Sequence, residues 1–287
     1  MTVVPKGWRL AALGGNSVAL EWADCAAGRW VQRLVGGHPC PAVCLPLAVY
    51  RLHSNRIEPG LTVFDGTVCL YSGSDPAGGA HALMGAMMQV WTLSCRDGLM
   101  LHAALLSRRG RGVLIGGVSG SGKSSLSGWF IQHGWAYHGD EQMYANADTG
   151  YWEGFVRPLC LKGDWASLFP AVVVPPESFA SVGGQTLVPV HLLGQECQPD
   201  VRVRPGLLLF PTFRSGSEFS LQRISCGQAT IQLIRGILNG GNLKNHGVAQ
   251  AAAIARGCPA YELSYGSFDQ LKPLLELLAT FDTLPPL

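Results

Sequence analysis

Residues 113–134 read VLIGGVSGSGKSSLSGWFIQHG. Val113–Gly116 form an apolar run with the composition of a buried strand. Gly117 to Ser124 match G-x4-G-K-[ST] in full. Residues 124–134 then read as a helix, with Gly134 where a helix C-terminal glycine belongs. Glycines in such a loop let backbone N–H groups turn inward around phosphate oxygens, and the helix points its positive end at the same anion. The expected phosphate-binding set is therefore Gly117, Ser119, Gly120, Ser121, Gly122, Lys123, Ser124 and Ser125. Lys123 would reach the terminal phosphates and the Ser124 hydroxyl would ligate Mg²⁺.

A phosphate loop specifies binding, and the acids that follow it specify more. WAYHGDEQMYAN (135–146) reads as a strand with a turn at its acidic pair, Asp140 and Glu141. Asp140 follows Lys123 by 17 positions (140 − 123). A carboxylate that close in the chain can hold Mg²⁺ or accept a proton from an attacking hydroxyl. Upstream, the apolar run LMLHAALLS (99–107) carries His102, 15 positions before Gly117 (117 − 102). The strand–loop–helix–strand order points to an α/β nucleotide-binding core.

Outside this core the patterns are shorter. VALEW (18–22), WVQRLV (30–35), LTVFD (61–65) and TVCLYS (67–72) read as strands, and residues 80–94 as a helix. These make a small mixed α/β lobe over residues 1–95, ahead of a domain over 96–287. In the second part, residues 156–165, 205–213 and 259–266 read as strands, and 226–240, 246–256 and 267–281 as helices. Tyr261 and Tyr265 share a strand face and read as core. His138 reads as strand packing and Arg256 as a cation near a helix end. Arg214, in a Gly/Ser loop, is a weaker candidate for contact with nucleotide or acceptor.

Composition excludes several classes. Of 287 residues, 47% are hydrophobic and only 14% charged, so the chain is neither disordered nor a polyelectrolyte. A net charge of +2 gives no electrostatic case for nucleic acid. A surface so poor in charge hints at contacts in a homo-oligomer or with a partner. Nine cysteines, an odd number without regular spacing, argue against a disulfide framework. The stretch Pro76–Cys95 is uncharged but broken by Pro, Gly, His and Gln, and reads as a buried helix rather than a membrane span. A cytoplasmic location with reduced thiols is expected. His38, Cys40 and Cys44 offer three metal ligands where structural zinc wants four, and read as free thiols beside a surface His.

Taken together, LHA at 101–103, the loop GVSGSGKSS and the HGDE segment resemble the HPr kinase/phosphorylase family, particularly its shorter relatives, over residues 99–144. The resemblance implies an α/β P-loop kinase core of the HPr kinase/PEP carboxykinase type with a small N-terminal α/β lobe. It implies that Lys123 and Ser124 bind nucleotide phosphates and metal. Asp140 would deprotonate the acceptor hydroxyl, Glu141 would help bind the cation, and His102 would face the phosphates. Two departures stand out. Ser125 occupies a position that is usually acidic in the family. The stretch Arg157-Pro-Leu-Cys-Leu-Lys162 lacks the family's metal-binding Glu, so Lys162 and Arg157 would steady transferred phosphate by charge instead. Both weigh against phosphorolysis and against HPr as the acceptor. The expected activity is ATP- and Mg²⁺-dependent transfer to a hydroxyl of a peptide, a protein or a small serine-like molecule. A nucleotide switch without transfer and a PEP-carboxykinase-like enzyme are the alternatives.

Overall fold

The computed structural model describes residues 7–36, 45–55, 60–174, 185–194 and 202–283. The metal-site residues His38, Cys40 and Cys44 lie outside them. The chain divides into two compact units, Met1–Ser94 with Val156–Leu192, and Cys95–Phe155 with Leu193–Leu287. Val156–Leu192 thus groups with residues that the sequence reading limited to the first 95.

The first unit holds a five-stranded sheet in chain order: β1 (Gly7–Leu13), β2 (Asn16–Trp22), β3 (Val49–Asn55), β4 (Gly60–Asp65) and β5 (Val68–Gly73). All pairs are antiparallel except β2 with β3. That one parallel step requires a crossover, and α1 (Cys25–Val35) supplies it. Here the sequence reading needs correction, because WVQRLV is helix and not strand. Asp24 caps the helix by accepting from the Ala27 N–H at 2.9 Å. The buried residues Ala27, Trp30, Val31, Leu34 and Val35 recur at helical spacing, a period that a six-residue window hides. α2 (Pro76–Ser94) begins four residues earlier than read, since the Asp75 carboxylate accepts from Ala77 and Gly78. Its buried residues Ala80, Leu83, Met84, Met87 and Trp91 pack within this unit. No helix among the described residues is long and apolar enough to cross a membrane.

In the second unit, β6 (Gly98–Leu101), β10 (Met143–Asn146) and β11 (Trp152–Gly154) form a small antiparallel sheet. β7 (Ala103–Arg108), β8 (Arg111–Gly116) and β9 (Ala136–Gly139) belong to a larger one, with α3 (Lys123–Gln132) between β8 and β9. The first unit's own β12 (Leu159–Lys162), α4 (Trp165–Leu168) and β13 (Gln185–Val188) come next in sequence, the two strands pairing as a hairpin. The second unit resumes with β14 (Arg204–Phe213), β15 (Ser220–Arg223), α5 (Cys226–Ile234), α6 (Val248–Gly257), β16 (Ala260–Tyr265) and α7 (Lys272–Thr283). α5 and α6 are shorter than the stretches read as helical.

The larger sheet has six strands in the order β15-β16-β14-β8-β7-β9. Its centre is a parallel trio, with β14 hydrogen-bonded to β8 on one side and β16 on the other. β7 and β8 are buried almost throughout, as strands covered on both faces must be. Pairing of β14 with β8 ends at Leu209 opposite Ile115, so Pro211 costs the β8 ladder no donor. The C-terminal edge of such a parallel set is where ligand loops gather, and the phosphate loop leaves β8 there.

His138 sits at a register shift in β9 and is 3% exposed. Its Nε2 lies 2.8 Å from Ser107 Oγ in β7, so it is strand packing, as its sequence context suggested. Burial pushes its pKa down to about 4. The unfolded chain therefore takes up a proton below about pH 6.5 that the folded chain refuses until about pH 4. Stability from this group is complete above pH 6.5 and lost as the pH falls. At pH 4.5 the loss should be about 2–3 kcal/mol, checked by urea unfolding of the parent against His138→Asn and by an NMR titration of the ring.

Candidate active site

The phosphate loop takes its shape from three glycines in left-handed backbone, Gly117 (φ 141°), Gly120 (φ 82°) and Gly122 (φ 97°). Gly122 is the N-cap of α3 and has no side chain to offer, so the first amides of the helix face outward uncapped. The loop crest, Val118 to Gly120, is exposed. Lys123 is 6% exposed, and its ammonium donates to the carbonyls of Gly117 (2.8 Å) and Val118 (3.1 Å). A buried lysine charge is tolerable only when so satisfied. From behind, the Phe213 N–H at the end of β14 donates to the Ser121 carbonyl at 3.1 Å. Ser124 and Ser125 occupy the first turn of α3, partly buried. The loop residues expected to act together are therefore contiguous at one helix N-terminus.

His102 stands where the chain leaves β6 in one sheet and enters β7 in the other. Its backbone N–H donates to Gly236 O at 2.7 Å, which fixes the corner. Its Nδ1 lies 3.1 Å from the Glu141 carbonyl oxygen and 3.4 Å from Glu141 Oε2. A carbonyl only accepts, so Nδ1 carries the proton and the neutral ring presents Nε2 as an acceptor. Burial first, and the Lys123 charge second, push the His102 pKa below its ordinary value, against Glu141 and Asp140. His102 is accordingly neutral at pH 7. His102, Lys123 and the adjacent acids Asp140 and Glu141 thus share one electrostatic neighbourhood, although they come from three separate points of the chain.

Asp140 is 1% exposed at the end of β9, and its Oδ1 accepts from the Tyr137 hydroxyl at 2.9 Å. Tyr137 has no signature in the sequence reading; a Tyr three residues before an Asp carries no distinctive pattern. Glu141 is partly exposed beside His102. Lys162 and Arg157 belong to the other compact unit, Lys162 exposed and Arg157 buried. Arg214 is exposed one residue after Phe213, and its backbone N–H donates to Tyr265 O at 3.1 Å. Among the described residues no group of three or more His, Cys, Asp or Glu side chains is arranged to hold a metal ion. The described cysteines Cys25, Cys69, Cys95, Cys160, Cys226 and Cys258 are free thiols.

No family model matches the chain, and no curated protein matches it. Among solved structures, the Hpr(Ser) kinase/phosphatase from Coxiella burnetii is similar over 64% of this chain and 94% of that one. The likeness is weak, at 13% identity and a TM-score of 0.24, and the site described above rests on its own geometry.

Gly139 carries Asp140 into place with φ 148°, and a Cβ there would lie 2.7 Å from the Phe155 carbonyl oxygen and 2.9 Å from its nitrogen. Backbone cannot yield as a flexible side chain does. Gly139→Ala should cost roughly 1–3 kcal/mol or more, read by chemical denaturation. It should also displace Asp140, read as a loss of whatever activity depends on that carboxylate.

Proposed function

We propose that the chain is an ATP-dependent phosphotransferase acting on a hydroxyl. The observation that supports this most is that Lys123, the buried lysine of a complete phosphate loop, and the acids Asp140 and Glu141 all act by charge on one histidine, His102. The residues fit a nucleotide. The loop is a cradle of left-handed glycines, one of which, Gly120, faces open space. The backbone of residues 117–122 with Lys123, Ser124 and Ser125 would hold its phosphates. A cation would find Ser124, Asp140 and Glu141, a small set suited to Mg²⁺, which keeps waters and phosphate oxygens as its other ligands. Bound ATP and Mg²⁺ would supply the phosphoryl group and neutralise its charge.

The chain's own groups then have distinct tasks. Lys123 exchanges its loop carbonyls for phosphate oxygens. Asp140, oriented by Tyr137, aligns the acceptor hydroxyl and takes up its proton. His102, held by Glu141, presents an uncharged acceptor and so adds no second positive charge beside Lys123. The acceptor is a hydroxyl on a peptide, a protein or a small serine-like molecule. Residues 1–95 would contribute acceptor recognition or contacts between copies.

Two substitutions test this reading. Lys123→Ala should lower ATP affinity and activity together, and unchanged affinity in calorimetry would remove Lys123 from the site. Asp140→Asn should still bind ATP while transfer of γ-labelled phosphate to an acceptor falls by roughly 10²–10⁴-fold. A fall in Mg²⁺-dependent affinity instead, rescued by excess Mg²⁺, would make Asp140 chiefly a cation ligand. Equal transfer in parent and variant would overturn the assignment.

A further inference from the structure

The phosphate loop is braced from behind by an aromatic cluster that the roles above leave unused. β14 and β16 run parallel, with Phe213 opposite Tyr265. Their rings lie 5.3 Å apart, and Tyr265 also stacks on Phe268 at 6.3 Å. Tyr265 is fully buried, yet its hydroxyl has no hydrogen-bond partner. That hydroxyl is aimed at the loop, since a Cβ on Gly122 would lie 3.1 Å from it and 2.9 Å from Phe213 Cβ. A second hydroxyl, Ser121 Oγ, is likewise buried without a partner. It faces Gly117, where an added Cβ would meet it at 2.8 Å.

Leaving a hydroxyl buried and unpaired is costly, and phenylalanine would fill the same space without that cost. The loop as arranged here leaves unsatisfied a group that another arrangement of it can satisfy. Phosphate oxygens draw loop N–H groups inward, which turns the matching carbonyls outward, toward β14 and β16. The Ser121 carbonyl already points that way, onto the Phe213 N–H, and a carbonyl oxygen can accept twice. A donor on that carbonyl also polarises the Gly122 N–H of the same peptide unit, making it a better donor to an anion. Burial raises the Tyr265 pKa, so the hydroxyl keeps its proton to donate.

We propose that Tyr265 is a positioning residue of the phosphate loop, its hydroxyl taking a loop carbonyl as partner when nucleotide phosphate is bound and thereby strengthening that binding. This rests on the nucleotide-binding reading and goes beyond it, because it assigns a group that touches no ligand.

The experiment compares the full-length parent with Tyr265→Phe by calorimetric titration with ATP and Mg²⁺, and by thermal unfolding with and without that nucleotide. The ring and its stacking remain, and only the hydroxyl goes. Affinity should fall roughly 2- to 10-fold, the worth of one hydrogen bond. Without nucleotide the variant should melt at the parent's temperature or above it, and the upward shift produced by ATP should shrink. A purely structural role would move the nucleotide-free melting point down and leave the affinity alone. Equal affinity in parent and variant overturns the proposal. So does a nucleotide-free variant that melts lower or fails to fold, because the hydroxyl would then have its partner already. If the parent itself binds no ATP, the nucleotide reading fails first, and the two failures are told apart by that control.

Discussion

The hydrogen bond from Phe213 N–H to the Ser121 carbonyl joins the end of one buried strand to the back of the phosphate loop. It can form only if β14 lies beside β8 in the observed register and runs on past it. That register depends on apolar burial, since β7, β8 and β14 have few ways to shift without moving a buried side chain into water. The loop is thus shaped from two sides. Its glycines permit the left-handed turns, and the strand next to it fixes where those turns must fall. The placement of Lys123 follows, because its ammonium is held by carbonyls that the same turns present.

Charge in this neighbourhood is spare. One buried cation and two acids act on His102, whose neutral form is favoured by burial and by that cation. A protonated ring at that point would repel Lys123 and would compete with it for any anion. The Nδ1 contacts to Glu141 settle which nitrogen bears the proton, so the orientation of His102 and the position of Glu141 are parts of one device. Tyr137 does for Asp140 what the Glu141 carbonyl does for His102: it sets the direction of a group whose identity alone would leave it free to turn.

Much of this was legible in the residues. The strand, loop and helix over 113–134 and the acidic turn after β9 carry local signals, because glycines, an apolar run and a helix stop act over few residues. The acid pair could be expected near the loop because the intervening helix and strand are short, whereas His102 was tied to it only by the family resemblance. The first unit was harder. α1 was misread because its first turn, with its capping Asp24, falls outside the apolar window taken for a strand, and helical period shows only over longer spans. Tyr137, Phe213 and Tyr265 were hidden for another reason. Their contribution comes from long-range register, and the sequence does not announce which aromatic residue will lie behind a loop. The grouping of Val156–Leu192 with the N-terminal residues was equally invisible, since no composition change marks either crossing.

The distance along the chain between the loop and its brace has a consequence for how the protein comes into being. The loop is complete as a sequence once Ser125 has been made, but Phe213 follows Ser121 by 92 residues (213 − 121) and Tyr265 by 144 (265 − 121). Contacts so far apart carry a large loop-closure entropy and are made late in folding. A nascent chain that has left the ribosome only as far as Glu141 holds every motif residue from His102 onward, and yet the loop has no wall behind it. Whatever the loop holds, its final shape should therefore emerge with the docking of β14 and then β16, rather than with the motif that encodes it.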